Sequence, residues 1–168
     1  IQTGTVNGIN WKLVGSRLEL TGGTWSKSSV NKKIGKYYIN SFLYDVGGPD
    51  LSKVSLIDIT GKINLPTDSS TLFGNLPGNV TSINHLDNLD TTGVVWMSNM
   101  FSADPGLTSL DVSSFDTSNV TRMDYMFGND KSLTSLDLSN FDTSQVKLMS
   151  GMFANDSSLT SLNLANFN

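Results

Sequence analysis

Serine, aspartate and asparagine side chains recur at a 26-residue interval, and they are the residues of this sequence best suited to hold a polar ligand. Asp111 and Asp137 occupy the middle of an L-x-L pattern, so we expect their side chains to point away from the core. Strands about 4.8 Å apart would place these carboxylates side by side, in a row that ends in Asn84 and Asn163. Such a face can exchange hydrogen bonds with sugar hydroxyls or a polar peptide, although repetition alone would also produce a solvated polar surface. The candidate residues on this concave face are Ser109, Asp111, Ser135, Asp137, Ser161 and Asn163.

A lysine cluster in the first third of the chain is a second candidate binding surface. Its charge suits sulfated or sialylated glycans, and neighbouring aromatic rings could stack on sugars. The alternative is a solvated loop whose aromatic residues belong to the core. The candidate binding residues of this basic patch are Lys32, Lys33 and Lys36, with Lys27, Trp25, Tyr37 and Tyr38 nearby.

The sequence contains few residues that could form a catalytic or metal-binding site. The chain has one His, His85, one Glu, Glu19, and no Cys. A Ser/His/Asp triad or a His-centred metal cluster would have to be built around His85, for which we expect a structural role. The calcium loop pattern D-x-[DN]-x-[DN]-G is absent. We therefore expect no enzymatic activity, no metal and no cofactor.

The elements that must position these residues follow from the repeat itself. A period of 26 residues carrying L-x-x-L-x-L is typical of a leucine-rich repeat. The predicted fold class is α+β: a leucine-rich-repeat solenoid with a strand plus a short helix in each repeat, and an N-terminal β-rich capping subdomain. Phe115, Phe141 and Phe167 should form an apolar spine. The repeating apolar set is Val94, Met97, Met100, Phe101, Leu107, Leu110, Val112 and Phe115, and its equivalents 26 and 52 residues later.

The predicted helix is clearest at residues 146–153. Val146, Met149, Met152 and Phe153 are spaced like one face of a helix of about nine residues. Asp142 precedes it, as Asp90 and Asp116 precede the equivalent segments of the units before. A carboxylate there could cap the helix N-terminus, so we expect these Asp residues to be structural.

Charge and composition divide the chain near Leu65. Residues 1–65 hold eight Lys and Arg against four Asp and Glu, whereas residues 66–168 hold three against eleven. All six Met lie in the second part. We predict two domains, a β-rich cap at 1–65 and repeats at 66–168, with units at about 66–91 (degenerate), 92–117, 118–143 and 144–168. Within the cap, Ile9, Trp11 and Leu13 followed by Gly15-Ser16 and Leu18 predict a β-hairpin.

The overall composition is that of a soluble globular protein. Apolar residues make up 38% and charged residues 15%, and no apolar run is long enough to span a membrane. The net charge of −4 and the acidic repeats argue against nucleic acid as a partner. Because the chain begins abruptly and stops within a repeat, we expect a fragment of a larger surface protein.

The repeated blocks resemble a known family. DTSNVTRMDYMF and LTSLDLSNFDTS are similar to the BspA-type leucine-rich repeats of bacterial surface proteins, also called the lactobacillal surface-protein repeat, and INLPTDSSTLFGNLPGNVTSINHLDNLDTT resembles the segment that leads into them. The β-rich start, GTVNGINWKLVGSRLELTGGTW, resembles the N-terminal part of such proteins. Trp96 and Thr92-Gly93 depart from the pattern. The resemblance implies an extracellular, wall-associated adhesin of a Gram-positive bacterium, without nominating binding residues.

Together these observations predict a cell-surface adhesin fragment that binds host mucin, a glycan or an extracellular-matrix protein. Binding would use the concave Ser/Asp face or the basic patch. Two alternatives stay open: a structural stalk that only presents another domain, and a protein–protein interaction module.

Overall fold

The computed structural model describes residues 1–26 and 43–168 in full, and the backbone of residues 32–34, 37–39 and 42. Within this part of the chain no helix is long and apolar enough to cross a membrane. Short 3-10 turns occur at Phe42–Tyr44, Leu51–Lys53 and Leu86–Asn88. The strands are β1 (Gln2–Val6), β2 (Ile9–Val14), β3 (Arg17–Thr24), β4 (Lys32–Ile34), β5 (Tyr37–Ile39), β6 (Leu56–Ile59), β7 (Ile63–Asn64), β8 (Ser82–Asn84), β9 (Leu89–Asp90), β10 (Ser135–Asp137) and β11 (Ser161–Asn163).

The N-terminal strands form the predicted hairpin. β2 and β3 pair antiparallel up to Val14 opposite Arg17, and Gly15 takes the positive φ of 60° that the tight turn requires. Ile9, Trp11 and Leu13 alternate inward and are buried. β1 extends the sheet by pairing antiparallel with β2. The period-2 pattern of apolar residues therefore specified this hairpin correctly.

The same sheet continues into the second half of the chain through parallel pairs. β3 pairs with β6 and β7, β6 pairs with β8, and β7 pairs with β9, which gives a mixed sheet of seven strands in the described residues. Its buried face includes Leu18, Leu20, Ile57 and Ile59. Because β8 and β9 belong to this sheet, it extends across residue 65.

The 26-residue units that follow lie side by side and bond to each other through their backbones. Four successive amides two residues apart donate to carbonyls of the next unit: Met97 N to Arg122 O at 2.9 Å, Asn99 N to Asp124 O at 3.0 Å, Phe101 N to Met126 O at 2.9 Å and Ala103 N to Gly128 O at 2.8 Å. Donation by every second amide to the same neighbouring segment is the bonding pattern of a parallel β-ladder.

The predicted fold class was wrong. The structure shows a mixed β-sheet, no α-helix among the described residues and not a leucine-rich-repeat solenoid of strand plus helix. Where helices were predicted, the chain makes successive turns with bonds from residue i+3 back to i, such as Met126 N to Met123 O at 3.2 Å. Such turns bury residues at i, i+3 and i+6 as a helix does, so the apolar spacing could not tell the two apart.

Left-handed backbone positions keep these turns from continuing as a helix. In each unit two residues have φ near +60°, and they fall in two columns: Thr71, Asn99, Tyr125 and Gly151, and then Asn75, Ala103, Asn129 and Asn155. A left-handed residue breaks the right-handed helical path. Asn is the residue other than Gly that best tolerates this region, and it holds four of the eight positions.

A column of phenylalanine rings fills the core between the units. Phe73, Phe101 and Phe127 stack at centroid distances of 5.8 Å, and Phe127 stacks on Phe153 at 6.1 Å. The predicted spine residues Phe115 and Phe141 are buried, but the continuous stack is formed by this other column. Phe115 joins it through Phe101, 6.1 Å away.

Candidate functional site on the Ser and Asp face

The six residues predicted for the concave face are all exposed. β10 and β11 pair in parallel, which places Ser135 beside Ser161 and Asp137 beside Asn163. Ser109 and Asp111 lie in the preceding unit, which is joined to β10 by the bond from Thr134 N to Thr108 O at 3.2 Å. The structure therefore brings the six side chains onto neighbouring units, as the L-x-L pattern predicted.

The aspartates of this face are also turn residues. Asp111 Oδ1 accepts bonds from Ser113 N at 3.1 Å and from Ser113 Oγ at 2.6 Å. Asp137 Oδ1 accepts from Ser139 N at 3.0 Å, and Asn163 Oδ1 accepts from Ala165 N at 3.1 Å. Hydrogen bonds from the serine side chain and then the backbone lower the pKa of Asp111 and Asp137, so both carboxylates are charged at neutral pH.

The helix-capping role predicted for Asp90, Asp116 and Asp142 was wrong, because no helix follows them. They close turns of the same kind instead. Asp116 Oδ1 accepts from Ser118 N at 3.0 Å and from Ser118 Oγ at 2.6 Å, and these bonds lower the pKa of Asp116. The residues were thus structural as expected, through a different motif.

A cleft of about 450 Å³ lies at the N-terminal end of this face, between β8 and the segment 109–114. Two of the predicted residues, Ser109 and Asp111, line it. The side chains opposite them come from the degenerate first unit. The polar lining residues are Ser82, Asn84, His85, Asp87, Ser109, Asp111, Ser113 and Ser114.

His85 is held at the cleft by a nearly buried carboxylate. Its backbone is left-handed, with φ of 61°, and its Nδ1 lies 2.5 Å from Asp58 Oδ1. The Arg17 guanidinium pairs with the other oxygen of Asp58. The hydrogen bond with Asp58, and then its charge, raises the pKa of His85. The imidazole is therefore oriented on one side, while 60% of its side chain remains exposed.

Sequence reasoning missed Asp58 and treated His85 as structural. The two residues meet because β6 pairs with β8 in a register that sets Asp58 opposite Asn84. One signal was available: Asp58 stands between Ile57 and Ile59 in a buried strand, where a carboxylate needs partners. The identity of those partners depends on the register and could not be deduced from spacing.

The cleft does not have the hydrogen bonds of a hydrolytic triad. Ser113 Oγ donates to Asp111 rather than to His85. No group of three or more His, Cys, Asp or Glu side chains able to hold a metal ion occurs among residues 1–26 and 43–168. The polar groups that line the cleft are suited to hydrogen bonding with a polar ligand.

The basic patch lies largely outside the described residues. Lys32 and Lys33 are in β4, which pairs antiparallel with β5, and only their backbone is described. Lys36 and Lys27 lie outside the described residues. This candidate surface stays a prediction.

Comparison with protein families gives a match over the second part of the chain. The family model described as "Mycoplasma protein of unknown function, DUF285" matches residues 67–168. No curated protein matches the chain. No solved structure matches it.

Proposed function

We propose that this chain, which belongs to the DUF285 family, is a fragment of a bacterial cell-surface adhesin that binds host mucus glycans or glycoproteins. The description of the family states no function. The observation that carries this proposal is the polar cleft between β8 and the segment 109–114. The protein acts as a binding module rather than an enzyme.

The lining groups match what a sugar offers. Asn84 supplies both a donor and an acceptor, serine hydroxyls do the same, and the charged carboxylates accept only. A carboxylate can accept from two neighbouring hydroxyls of one sugar ring. The imidazole of His85, which Asp58 already orients through Nδ1, offers Nε2 as an acceptor when neutral and as a donor when protonated. This fixed orientation reduces the entropy lost on binding.

The charges of the cleft favour neutral sugars. Asp87 and Asp111 both line it, and these carboxylates would repel a sialic acid or a sulfate group. His85 supplies positive charge only when protonated. If anionic glycans bind this protein at neutral pH, the basic patch around Lys32, Lys33 and Lys36 is the better candidate.

The sequence resemblance supports the cell-surface part of the proposal. The DTSNVTRMDYMF and LTSLDLSNFDTS blocks lie within the matched residues and resemble the BspA-type repeats of bacterial surface proteins. We extend the proposal to that family of surface proteins, with an extracellular, wall-associated location on a Gram-positive bacterium. The resemblance concerns these sequence blocks and not the helices they were predicted to form.

The test is binding of the fragment to immobilised mucin and to a glycan panel at low and high salt. The cleft variant combines Asn84→Ala with Asp111→Asn, which keeps the Oδ1 acceptor of the turn while removing the charge. Asp116→Asn is the matched control, because Asp116 forms the same turn with Ser118 and does not line the cleft. We expect saturable binding that is insensitive to salt and weakened at least tenfold in the cleft variant alone.

Other results would point to the other functions. Binding lost in salt and in a Lys32→Ala, Lys33→Ala, Lys36→Ala variant would move the site to the basic patch. Binding that survives removal of the glycans would indicate a protein partner. No saturable binding to any host material would refute the adhesin proposal in favour of a stalk.

A further inference from the structure

A second row of side chains crosses the repeats at positions that the predicted binding surfaces do not include. Isolated parallel bridges join Asp68 to Trp96, Trp96 to Arg122 and Arg122 to Leu148. Paired residues of parallel segments lie on one face, about 4.8 Å apart. We call these four residues the Trp96 row.

Large apolar side chains of this row are exposed. Trp96 is 42% exposed and Leu148 is 46% exposed, whereas the other two tryptophans, Trp11 and Trp25, are buried at 8% and 2%. The neighbouring row holds the same residue, Met, in all three units at positions 97, 123 and 149. The Trp96 row instead holds four different residues, so the packing of the repeat does not dictate their identity.

The polar groups beside Trp96 are held in place. The guanidinium carbon Cζ of Arg122 lies 5.5 Å from the centroid of the Trp96 ring. Arg122 Nε and Nη2 donate to Asp124 Oδ1 and Oδ2, each at 3.3 Å. Ser98 Oγ also donates to Asp124 Oδ1, at 2.7 Å. The partly exposed Trp96 ring thus stands beside a guanidinium that Asp124 holds in position.

We propose that the Trp96 row is a binding site for a neutral oligosaccharide. A sugar ring has an apolar C–H face and a rim of hydroxyls, and the exposed part of the indole fits the first while Arg122 and Asp124 fit the second. The pairing of Arg122 with Asp124 cancels their charges, so the site has no excess positive charge for a sialylated or sulfated sugar. This site shares no residue with the cleft and does not depend on the function proposed for it.

The size of the row also favours a sugar over a protein. Four positions about 4.8 Å apart span roughly 14 Å, the length of a short oligosaccharide. A stable protein interface buries about 800 Å² on each partner, with 20 to 30 residues a side. A second copy of the chain would need far more surface than this row provides.

Intrinsic fluorescence gives a direct test, because Trp96 is the exposed one of the three tryptophans. The fragment is titrated with neutral trisaccharides of glucose, mannose and N-acetylglucosamine, and with sialyllactose for comparison. We expect a saturable change of emission with at least one neutral sugar, and weaker binding of sialyllactose. Titration calorimetry then measures the affinity of the variants for the sugar, because this method does not depend on the fluorescence of Trp96.

Trp96→Ala should weaken binding at least tenfold, and Trp96→Tyr should retain most of it because a ring remains. Arg122→Met should weaken binding while keeping much of the side-chain length. Asp116→Asn, which lies in neither the cleft nor the Trp96 row, should leave this affinity unchanged. Unchanged melting temperatures show that the variants are folded.

Three results would overturn the proposal. One is the absence of saturable binding of any neutral sugar in the wild-type protein. Another is wild-type affinity in Trp96→Ala. The third is a wild-type dimer, measured by sedimentation, that Trp96→Ala dissociates, because the row would then be a contact between copies of the chain.

Discussion

Two buried aspartates, Asp104 and Asp130, and the partly buried Asp156 should make this protein less stable as the pH rises. Each Oδ1 accepts a backbone N–H from the preceding unit: Leu76 N at 2.8 Å, Asp104 N at 2.9 Å and Asp130 N at 2.9 Å. Each Oδ2 is buried without a hydrogen-bond partner among the described residues. A charge on that oxygen would be poorly solvated, so the folded state favours the protonated acid.

Burial therefore raises the pKa of all three carboxyls. The pKa of Asp104 lies well above its usual value, raised by burial and then by the nearby Asp130. Burial raises the pKa of Asp130 to about 9 and that of Asp156 to about 6. In the unfolded chain each carboxyl returns to an ordinary pKa of about 3.9.

The sign of the effect follows from these pKa values. A group whose folded pKa is raised contributes stability that is fully present below its unfolded pKa and is lost as the pH rises through the folded one. For a well-buried carboxyl such as Asp130, the loss is about 1.4 kcal/mol for each pH unit between the unfolded and the folded pKa. Between pH 5 and pH 7 Asp130 alone should lower the free energy of unfolding by about 3 kcal/mol, a large share of the 5–15 kcal/mol typical of a domain.

The assay is urea unfolding of the wild type and of Asp130→Asn at pH 5, 6, 7 and 8. Asn keeps an Oδ1 acceptor for the Asp104 N–H but cannot ionise. The wild type should lose stability across this range, and the variant should lose about 1.4 kcal/mol less per pH unit. The raised pKa of His85 acts in the same direction, but it is common to both proteins and cancels in their difference.

Asp116→Asn is the matched control, because bonds from Ser118 lower the pKa of Asp116 and the group titrates below this range. Its stability should follow the pH as the wild type does. Equal slopes for Asp130→Asn and the wild type would show that Asp130 is not held protonated in the folded state. A gain in wild-type stability from pH 5 to pH 8 would contradict the prediction as well.

Three further substitutions test the packing and the backbone. Phe141→Ala should lower the free energy of unfolding by about 3 to 5 kcal/mol, because the ring is buried; wild-type stability in a urea titration would contradict that burial. Ala103→Asn should raise stability by about 1 kcal/mol, because Ala103 has φ of 56° at the position that Asn129 and Asn155 occupy in the next units. A lower melting temperature in calorimetry would count against this. Gly106→Ala should lower the free energy of unfolding by more than about 1 kcal/mol, because an added Cβ would lie 2.3 Å from Gly78 O and 2.5 Å from Val80 O. An unchanged urea midpoint would show that the two backbones separate easily.

The exposed face could be predicted from the sequence because it depends only on local alternation. In an extended segment the residue between two buried leucines must face outward, so Asp111 and Asp137 could be placed before their neighbours were known. The turn bonds to Ser113 and Ser139 are equally local, since donor and acceptor are two residues apart. Neither inference required a correct fold class.

The helices were wrongly predicted because spacing reports which residues are buried and not where their amides bond. Met123 and Met126 have helical spacing, but Met123 N donates to Leu148 O in the next unit, at 2.9 Å. Two left-handed residues in each unit made it possible for these amides to bond to the next unit instead of within a helix. One of them, Tyr125, carries a large side chain that seldom adopts positive φ, so its identity gave no warning.

The partners of Asp58 in the cleft could not be identified from the local sequence. His85 and Asp58 are 27 residues apart, and Arg17 and Asp58 are 41 apart. Both contacts depend on the order β3, β6, β8 in the sheet. Burial of Asp104 was equally hidden, because an Asp in a polar turn is ordinarily exposed.

The structure suggests where ligand specificity can reside in a repeated fold of this kind. The aspartates that recur from unit to unit use Oδ1 to close a turn or to join two units, so the repeat requires them whether or not a ligand exists. Binding function should then depend on positions where the units differ. Both proposed sites meet that condition: His85 lies in the degenerate first unit, and Trp96 is replaced by Arg122 and Leu148 in the units that follow. A ligand that contacts such positions can occupy one place along the repeats, whereas the recurring Ser and Asp side chains alone would offer several equivalent places.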